Sequence, residues 1–144
     1  SFVLLTGPGE EYLRDAVPTY TNVKFITVDT GDMGLAALKA VIAQLDLLIG
    51  NDSGPRHIAV AFKRPVVCVM GPTSPSYTEG PYEHGVRLQA KLPCVPCQQP
   101  VCPLGHHQCM RDITPEQVAA AALDCLEKAE TSSENDVQAQ GIST

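Results

Sequence analysis

The sequence has no apolar segment near the roughly twenty residues that a membrane span requires. Its first residues, Ser1 to Leu5, also lack the basic start and the cleavage site of a signal peptide. Basic residues are scarce, since 10 Lys and Arg stand against 16 Asp and Glu, for a net charge of −6. Such a charge does not favour nucleic acid or anionic lipid as a partner. We therefore expect a cytoplasmic protein that has no transmembrane segment and binds no nucleic acid.

Three catalytic motifs are also absent. The chain contains no G-x-x-x-x-G-K-[ST] loop and no G-x-G-x-x-G that opens a helix, which disfavours an ATPase and a standard dinucleotide oxidoreductase. It contains no G-x-S-x-G elbow. Asp52, Ser53 and His57 cannot replace that elbow as a triad, because they lie on one helical turn and cannot surround a substrate.

What the chain does contain is an alternation of apolar strands and amphipathic helices over 144 residues. Two of the apolar runs, "DLLIGN" and "RPVVCVMG", are too continuous for a strand with one wet face, so we expect central parallel strands. The pattern predicts an α/β fold with a three-layer, Rossmann-like, doubly wound parallel sheet. The predicted strands are residues 2–6, 23–29, 46–51, 64–71 and 85–90, and the predicted helices are residues 10–17, 33–45, 55–63 and 114–128.

Two of the predicted helices carry specific signals. The apolar residues Leu35, Leu38, Ile42 and Leu45 recur at helical spacing and predict one stripe that packs on a sheet. The last helix opens on a capping box, Thr114 to Gln117, and we expect it to turn three residues inward. These three residues are Val118, Ala122 and Cys125. We predict a domain over residues 1–129 and a disordered polar tail over residues 130–144.

Ligands of open parallel sheets bind beyond the carboxyl ends of the strands, where helix N-termini point their N–H groups. The first such end is Gly7-Pro8-Gly9-Glu10-Glu11, where a carboxylate could accept hydrogen bonds from ribose hydroxyls. The alternative is a Pro-Gly turn with two acids that favour a helix start.

The second strand end is Asn51 to His57. The hydroxyl of Ser53 and the N–H groups of Ser53 and Gly54 could hold a phosphate at a helix N-terminus, while Asp52 holds sugar hydroxyls. Pro55 suits the first helical turn. His57 could bind a phosphate or stabilise departing charge. The alternative is that Asp52 and Ser53 merely cap the helix.

The third strand end, Gly71, Pro72 and Thr73, is a rigid turn whose hydroxyl and N–H groups we expect to face the same crevice. Alone it is only a turn signal. Together with the second strand end it predicts a pocket for a pyrophosphate and a sugar.

The segment "LLIGNDSGPRHIAVAFKRPVVCVMGPTSP", residues 47–75, with "TGPGEE" upstream and "LAALKAVIAQLD" between them, resembles the carboxyl-terminal half of the lipopolysaccharide heptosyltransferases, glycosyltransferase family 9. The likeness covers about residues 3–128. It implies a GT-B enzyme that inverts the anomeric centre, whose carboxyl half binds ADP-heptose and whose amino half binds the lipid A-core acceptor. It also implies that Glu11 binds the adenosine ribose and that heptose and diphosphate lie on Asp52, Ser53, Gly54 and Pro55, with His57 close by. We expect no cofactor and no metal in that site.

Two departures limit this transfer of roles. The family's catalytic aspartate, in the amino half, has no counterpart here, and neither has the basic phosphate-binding residue of the carboxyl half. We therefore expect a fragment that lacks its first strand and its acceptor domain, binds a donor, and is inactive alone. The longer enzyme could lie peripherally at the inner membrane face. The alternative function is a noncatalytic nucleotide- or nucleotide-sugar-binding module.

Four of the six cysteines lie within sixteen residues, in "CVPCQQPVCPLGHHQC". Cys94, Cys97, Cys102 and Cys109 could bind zinc, form disulfides, or stay reduced. If they bind zinc, the chain could instead be a zinc-stapled interaction domain. Cys68 and Cys125 fit a strand and a helix and are expected to be buried.

Overall fold

The structure is a computed structural model, and it describes residues 1–7, 9–10, 12–13, 25–78, 80 and 84–140, with backbone only at 25–33, 130 and 132–140. The chain forms two compact units, Ser1–Val41 and Ile42–Thr144. The predicted limits of 1–129 and 130–144 stay a prediction.

The first unit contains two parallel strands, β1 (Phe2–Thr6) and β2 (Phe25–Asp29). Phe2 lies opposite Phe25 and Thr6 opposite Asp29, so the two strands pair over their full length. The prediction of a strand over residues 2–6 is confirmed. The predicted helix over residues 10–17 falls largely outside the described residues.

Helix α1 (Thr30–Ile42) follows β2 and continues to the first residue of the second unit. Gly34 interrupts it with φ 70° and ψ 174°, a conformation that glycine adopts without steric cost. The prediction of one buried stripe is wrong in part, because Leu35 is 59% exposed whereas Ile42 is buried. Leu45 lies past the end of the helix, and its N–H donates to the Ile42 carbonyl at 3.2 Å.

The second unit contains three parallel strands in the order β3-β4-β5. In chain order its elements are β3 (Leu48–Asn51), α2 (Gly54–Ala61), β4 (Val66–Met70), α3 (Pro75–Thr78), β5 (Gly85–Gln89), α4 (Gln108–Arg111) and α5 (Pro115–Gln140). Leu48 pairs with Val66, and Val66 pairs with Gly85, so the three strands start level. β3 ends at Asn51, opposite Val69 and one residue before the end of β4, so the junctions after β3 and β4 lie at the same edge of the sheet.

The core of the second unit lies on β4, the middle strand of this sheet. Val66, Val67, Cys68 and Met70 are all buried, as the continuous apolar run predicts. Helix α5 covers one face, where its buried residues pack with Val67. Those residues are Ala122 and Cys125, with Val118 half-buried beside them, so the predicted inward face of the last helix is confirmed.

Gly85 begins β5 where the backbone of β4 comes very close. It has φ 146°, and a Cβ at this position would lie 1.9 Å from the carbonyl oxygen of Val66. No other residue type fits there without moving the strand, so Gly85 fixes how β5 enters the sheet.

The capping box that begins α5 is confirmed. The Thr114 N–H donates to Oε1 of Gln117 at 2.8 Å, and the Gln117 N–H donates to Oγ1 of Thr114 at 3.3 Å. The helix then continues to Gln140, so its predicted end near Lys128 is wrong. The polar segment beyond Lys128 contains no Gly or Pro before Gly141, and polarity without a helix breaker does not end a helix.

No helix in the part of the chain that the structure describes combines the length and the apolar character needed to cross a bilayer.

Candidate functional site

The junction between β3 and α2 leaves the start of a helix open to solvent. Ser53 is the N-cap residue, with φ −149° and ψ 174°, and no side chain among the described residues caps the helix. The Ser53 hydroxyl instead donates to the Asn51 carbonyl at 3.3 Å. Ser53 and Gly54 are exposed. At the positive end of the helix dipole, the N–H groups of Ser53 and Gly54 thus belong to exposed residues, whereas Pro55 has no N–H and that of Arg56 donates to the Ser53 carbonyl at 3.1 Å.

Neither Asp52 nor Ser53 caps α2 with its side chain in this structure, and their contact with a ligand stays a prediction. The hydroxyl of Ser53 is occupied by the preceding turn. Gly54 leaves further room, since no heavy atom of the described residues lies within 4 Å of where its Cβ would be. A group that approaches the first turn of α2 meets backbone N–H groups without a side chain in the way.

Asp52 does not stand alone beside that helix start. Nη1 of Arg56 lies 2.5 Å from Oδ1 of Asp52 and donates to Oγ1 of Thr78 at 2.9 Å. The side chain of Arg56 is 1% exposed and that of Asp52 is 12% exposed, so this ion pair is largely removed from water. Such a pair is held firmly, because a buried guanidinium cannot lose its charge and needs an acceptor.

Sequence reasoning missed Arg56. The signal that could have found it is its spacing, since a carboxylate and a base four residues apart at a helix start lie on the same face. Its burial carried no sequence signal, because arginine is a typical surface residue. Only the packing of α3, which supplies Thr78, shows that the pair is enclosed.

The remaining residues predicted at this junction lie on the same turn. Pro55 is half-buried within the first turn of α2, as predicted, and His57 is exposed one residue after Arg56. The structure therefore brings together five of the predicted site residues in one short segment. They are Asp52, Ser53, Gly54, Pro55 and His57.

The turn after β4 is packed rather than open. Nε2 of Gln89 donates to the carbonyls of Gly71 and Thr73 at 3.1 and 2.8 Å. The N–H of Gln98 donates to the Pro72 carbonyl at 3.0 Å. Gly71 is buried, and a Cβ there would lie 2.8 Å from Sδ of Met110. Gly71, Pro72 and Thr73 thus anchor the loop that follows β5, and their contact with a ligand stays a prediction.

Glu11 lies outside the described residues, so its role as a ribose ligand also stays a prediction. Its neighbour Glu10 closes the turn after β1. Oε2 of Glu10 accepts a hydrogen bond from the Gly7 N–H at 2.7 Å, and the Glu10 N–H donates to the Gly7 carbonyl at 3.1 Å. The interpretation of an acid within a Pro-Gly turn therefore holds for Glu10.

The cysteine-rich loop lies over the turn after β4. Its four thiols line one cavity of about 140 Å³, together with Pro72 and Met110 among others. They are Cys94, Cys97, Cys102 and Cys109. All six cysteines belong to the described residues, and none is in a disulfide.

The spacing of these thiols left three interpretations open. Within the described ranges, no three His, Cys, Asp or Glu side chains are grouped so that they could hold a metal ion. Whether the loop thiols bind zinc, form disulfides or stay reduced therefore remains a prediction, although all six cysteines are free in this structure.

One thiol of the loop has an altered acidity. The N–H of His107, above all, and those of Leu104, Gly105 and His106 face the sulfur of Cys102. They lower the pKa of that thiol by stabilising the thiolate, against a smaller opposing effect of desolvation. At Cys125 the pKa changes in the other direction: burial is the main cause that raises the pKa of this thiol, and the negative charge of Asp124 adds to it.

Comparison with solved structures shows what class of protein has this fold. A glycosyl transferase family 9 protein from Veillonella parvula superposes with a TM-score of 0.71 at 29% identity, over 88% of this chain and 36% of that one. The predicted fold class is confirmed: the chain is α/β with parallel strands, like part of a glycosyltransferase.

Curated relatives agree with that class. Lipooligosaccharide heptosyltransferase 2 of Campylobacter jejuni is 42% identical over 86 residues, which are 59% of this chain and 27% of that protein. Lipooligosaccharide heptosyltransferase 2 of Haemophilus influenzae is 32% identical over 124 residues, 84% of this chain and 35% of that protein. The chain thus spans about a third or less of the length of these relatives.

The family itself follows from the sequence match. Residues 3–108 match the model of "Glycosyltransferase family 9 (heptosyltransferase)". The chain belongs to glycosyltransferase family 9, and the resemblance noted from residues 47–75 is confirmed.

Proposed function

We propose that this chain is the donor-binding part of an inverting heptosyltransferase of lipopolysaccharide core biosynthesis, with ADP-heptose as the donor. Its membership of the heptosyltransferase family supports the class of reaction. The names of its relatives, lipooligosaccharide and lipopolysaccharide heptosyltransferases, support the pathway.

The observation that carries this proposal is the uncapped start of α2. Exposed N–H groups at Ser53 and Gly54 and the positive end of a helix of eight residues form a site that favours a diphosphate. Asp52, the residue before Ser53, would accept hydrogen bonds from the hydroxyls of the sugar. His57, exposed on the same turn, would donate to a phosphate oxygen.

The chemistry of the transfer assigns a limited part to these residues. As the bond from the sugar to the diphosphate breaks, negative charge grows on the departing ADP, and N–H groups that already point at it stabilise the transition state. A base must meanwhile take the proton of the acceptor hydroxyl. We assign no such base within this chain, and we expect the chain alone not to transfer heptose.

The other parts of the proposal are the contacts for the nucleoside and the acceptor. Glu11 would bind the adenosine ribose, and Gly71, Pro72 and Thr73 would lie beside the diphosphate. The lipid A-core acceptor would bind to a separate domain, as in a GT-B enzyme. No resident cofactor or metal is part of this mechanism.

A titration of the ¹⁵N-labelled chain with ADP, followed by amide chemical shifts, tests the donor site. We expect the largest shifts at Ser53, Gly54 and Arg56, weaker binding of UDP, and weaker binding of ADP to Gly54→Ala. Thr131→Ala, which removes an exposed hydroxyl from α5, is the control and should bind ADP as the parent does.

The same titration with ADP-heptose tests the sugar contact. Asp52→Asn should lose most of the extra affinity of ADP-heptose over ADP, because an amide accepts fewer hydrogen bonds than a carboxylate. Shifts that spread over α5 and spare Ser53 and Gly54 would disprove the site. Equal binding of UDP and ADP would disprove the assignment of adenine.

A further inference from the structure

The proposed donor site places two kinds of negative charge side by side. A diphosphate bound to the N–H groups of Ser53 and Gly54 would lie beside the Asp52 carboxylate, because Asp52 directly precedes these two residues. Like charges in a partly enclosed site repel strongly, because little water screens them. A carboxylate at this position would by itself work against the ligand that the helix start attracts.

The position of Arg56 allows its positive charge to offset this repulsion. It lies one helical turn after Asp52, and its Nη1 is 2.5 Å from Oδ1 of that carboxylate. Thr78, at the end of α3, accepts a hydrogen bond from the same nitrogen at 2.9 Å. The guanidinium is thus fixed from two elements, and at 1% exposure it is not itself in reach of a ligand in solvent.

We propose that Arg56 is a positioning residue that makes the donor site tolerant of a diphosphate: it offsets the charge of Asp52 and holds Oδ1, which leaves Oδ2 to the sugar. This inference rests on the proposed function. It assigns to Arg56 no contact with the donor. Its effect passes through the charge and the orientation of Asp52, and it should therefore depend on the charge of the ligand.

The experiment compares ADP with uncharged adenosine on the ¹⁵N-labelled chain. In Arg56→Met, Asp52 loses its cation, and the preference for ADP over adenosine should fall about tenfold, as expected for an unfavourable like charge at a binding site. Adenosine itself should bind within about twofold of the parent. A merely structural role for Arg56 would weaken both ligands together.

Three further variants test the sign of the effect and its dependence on charge. Asp52→Asn removes the negative charge beside the diphosphate, so the preference for ADP over adenosine should rise about threefold. The double variant Arg56→Met with Asp52→Asn removes both charges and should return the preference to within about threefold of the parent. Arg56→Lys, which retains the charge, should keep most of the preference.

Amide shift dispersion of each variant reports whether it is folded. If Arg56→Met alone does not fold, Asp52→Asn and the double variant decide, since neither leaves an unpaired carboxylate. The inference is overturned if Asp52→Asn lowers the preference for ADP, or if Arg56→Met leaves it unchanged. Both results would leave the donor site intact, whereas a parent chain in which ADP fails to shift Ser53 and Gly54 would disprove the proposed function instead.

Discussion

The two strand ends of the second unit differ in what closes them. After β3, the chain runs into α2 with an exposed Ser53 and Gly54, and no described side chain caps the helix. After β4, the chain runs into Gly71, which is buried under Met110. Both ends lie at one edge of the same parallel sheet, yet one presents backbone N–H groups to solvent and the other presents its carbonyls to the protein.

The difference shows that the groups that bind a turn decide whether the turn anchors another segment or stays open to solvent. The carbonyls of Gly71 and Thr73 are bound by Gln89, and that of Pro72 by Gln98, so the turn after β4 serves as the seat of the cysteine-rich loop. At the β3 junction Arg56 contacts both Asp52 and Thr78, which fixes a carboxylate and leaves the helix start without a side-chain cap among the described residues. One junction is therefore open to solvent, and the neighbouring junction anchors the cysteine-rich loop.

The largest effect should come from breaking the ion pair of the open junction. Arg56→Met should lower the free energy of unfolding by about 3 kcal/mol, because the partly buried Asp52 carboxylate is left without its cation. Urea denaturation measures this. Adding Asp52→Asn should restore most of the loss, and a double variant no more stable than Arg56→Met would contradict the charge argument.

The packed junction should respond most to Gln89. Gln89→Ala removes two hydrogen bonds from half-buried carbonyls, and we expect a loss of about 2 kcal/mol. The loop thiols should also react faster with a disulfide reagent, because Gln89 no longer holds the turn on which the loop packs. Gln108→Ala changes an exposed glutamine of α4 and is the matched control. Thiol reactivity equal in both variants would show that Gln89 does not hold the loop.

A matched pair of glycine substitutions contrasts the two junctions directly. Gly71→Ala places a Cβ 2.8 Å from Sδ of Met110 and should cost about 1 kcal/mol, a small penalty because the methionine can yield. Gly54→Ala meets no described atom within 4 Å and should change stability by less than about 0.5 kcal/mol.

Thermal unfolding of both glycine variants measures the contrast. Met110→Ala in the Gly71→Ala background should relieve the clash, since the contacting sulfur is gone. Equal losses at Gly54 and Gly71 would mean that the two junctions are packed alike.

The smallest effect concerns the thiols over the packed junction and changes reactivity rather than stability. The N–H groups around Cys102 lower the pKa of its thiol, so at neutral pH it should hold more thiolate than Cys125, whose pKa is raised by burial. Alkylation with iodoacetamide, followed by mass spectrometry, should label Cys102 first. Lowering the pH should slow this labelling only below the range in which an ordinary thiol loses reactivity. Faster labelling of Cys125 would contradict both pKa directions.

Much of the second unit could be predicted from residue patterns. The continuous apolar run of β4 indicated a strand buried on both faces, and Val66, Val67 and Cys68 are buried. The Thr114 to Gln117 spacing indicated reciprocal side-chain caps, which form. These features depend on contacts between residues close in the chain or on burial of a whole segment, and both leave a local record in the sequence.

Other features could not be predicted from these patterns, for local and for remote reasons. Leu35 fits an apolar stripe, but Gly34 interrupts α1 and Leu35 is exposed. The turn after β4 carries no sequence signal that its carbonyls are bound by remote residues, and the contact of its hydroxyl and N–H groups with a ligand stays a prediction. Met110 and Gln98, which cover it, lie more than twenty residues further along the chain.

The sequence alone thus determined the alternating parallel architecture and the family, and it singled out the segment from Asp52 to His57 as the proposed site, because these depend on short-range periodicity and on one contiguous motif. The tertiary structure decided which strand end is open, that Arg56 is buried against Asp52 and Thr78, and that four thiols share one cavity. Each of these depends on where side chains remote in the sequence pack. The free energy of burial that brings them together depends on the whole fold and cannot be deduced from a short segment of the sequence.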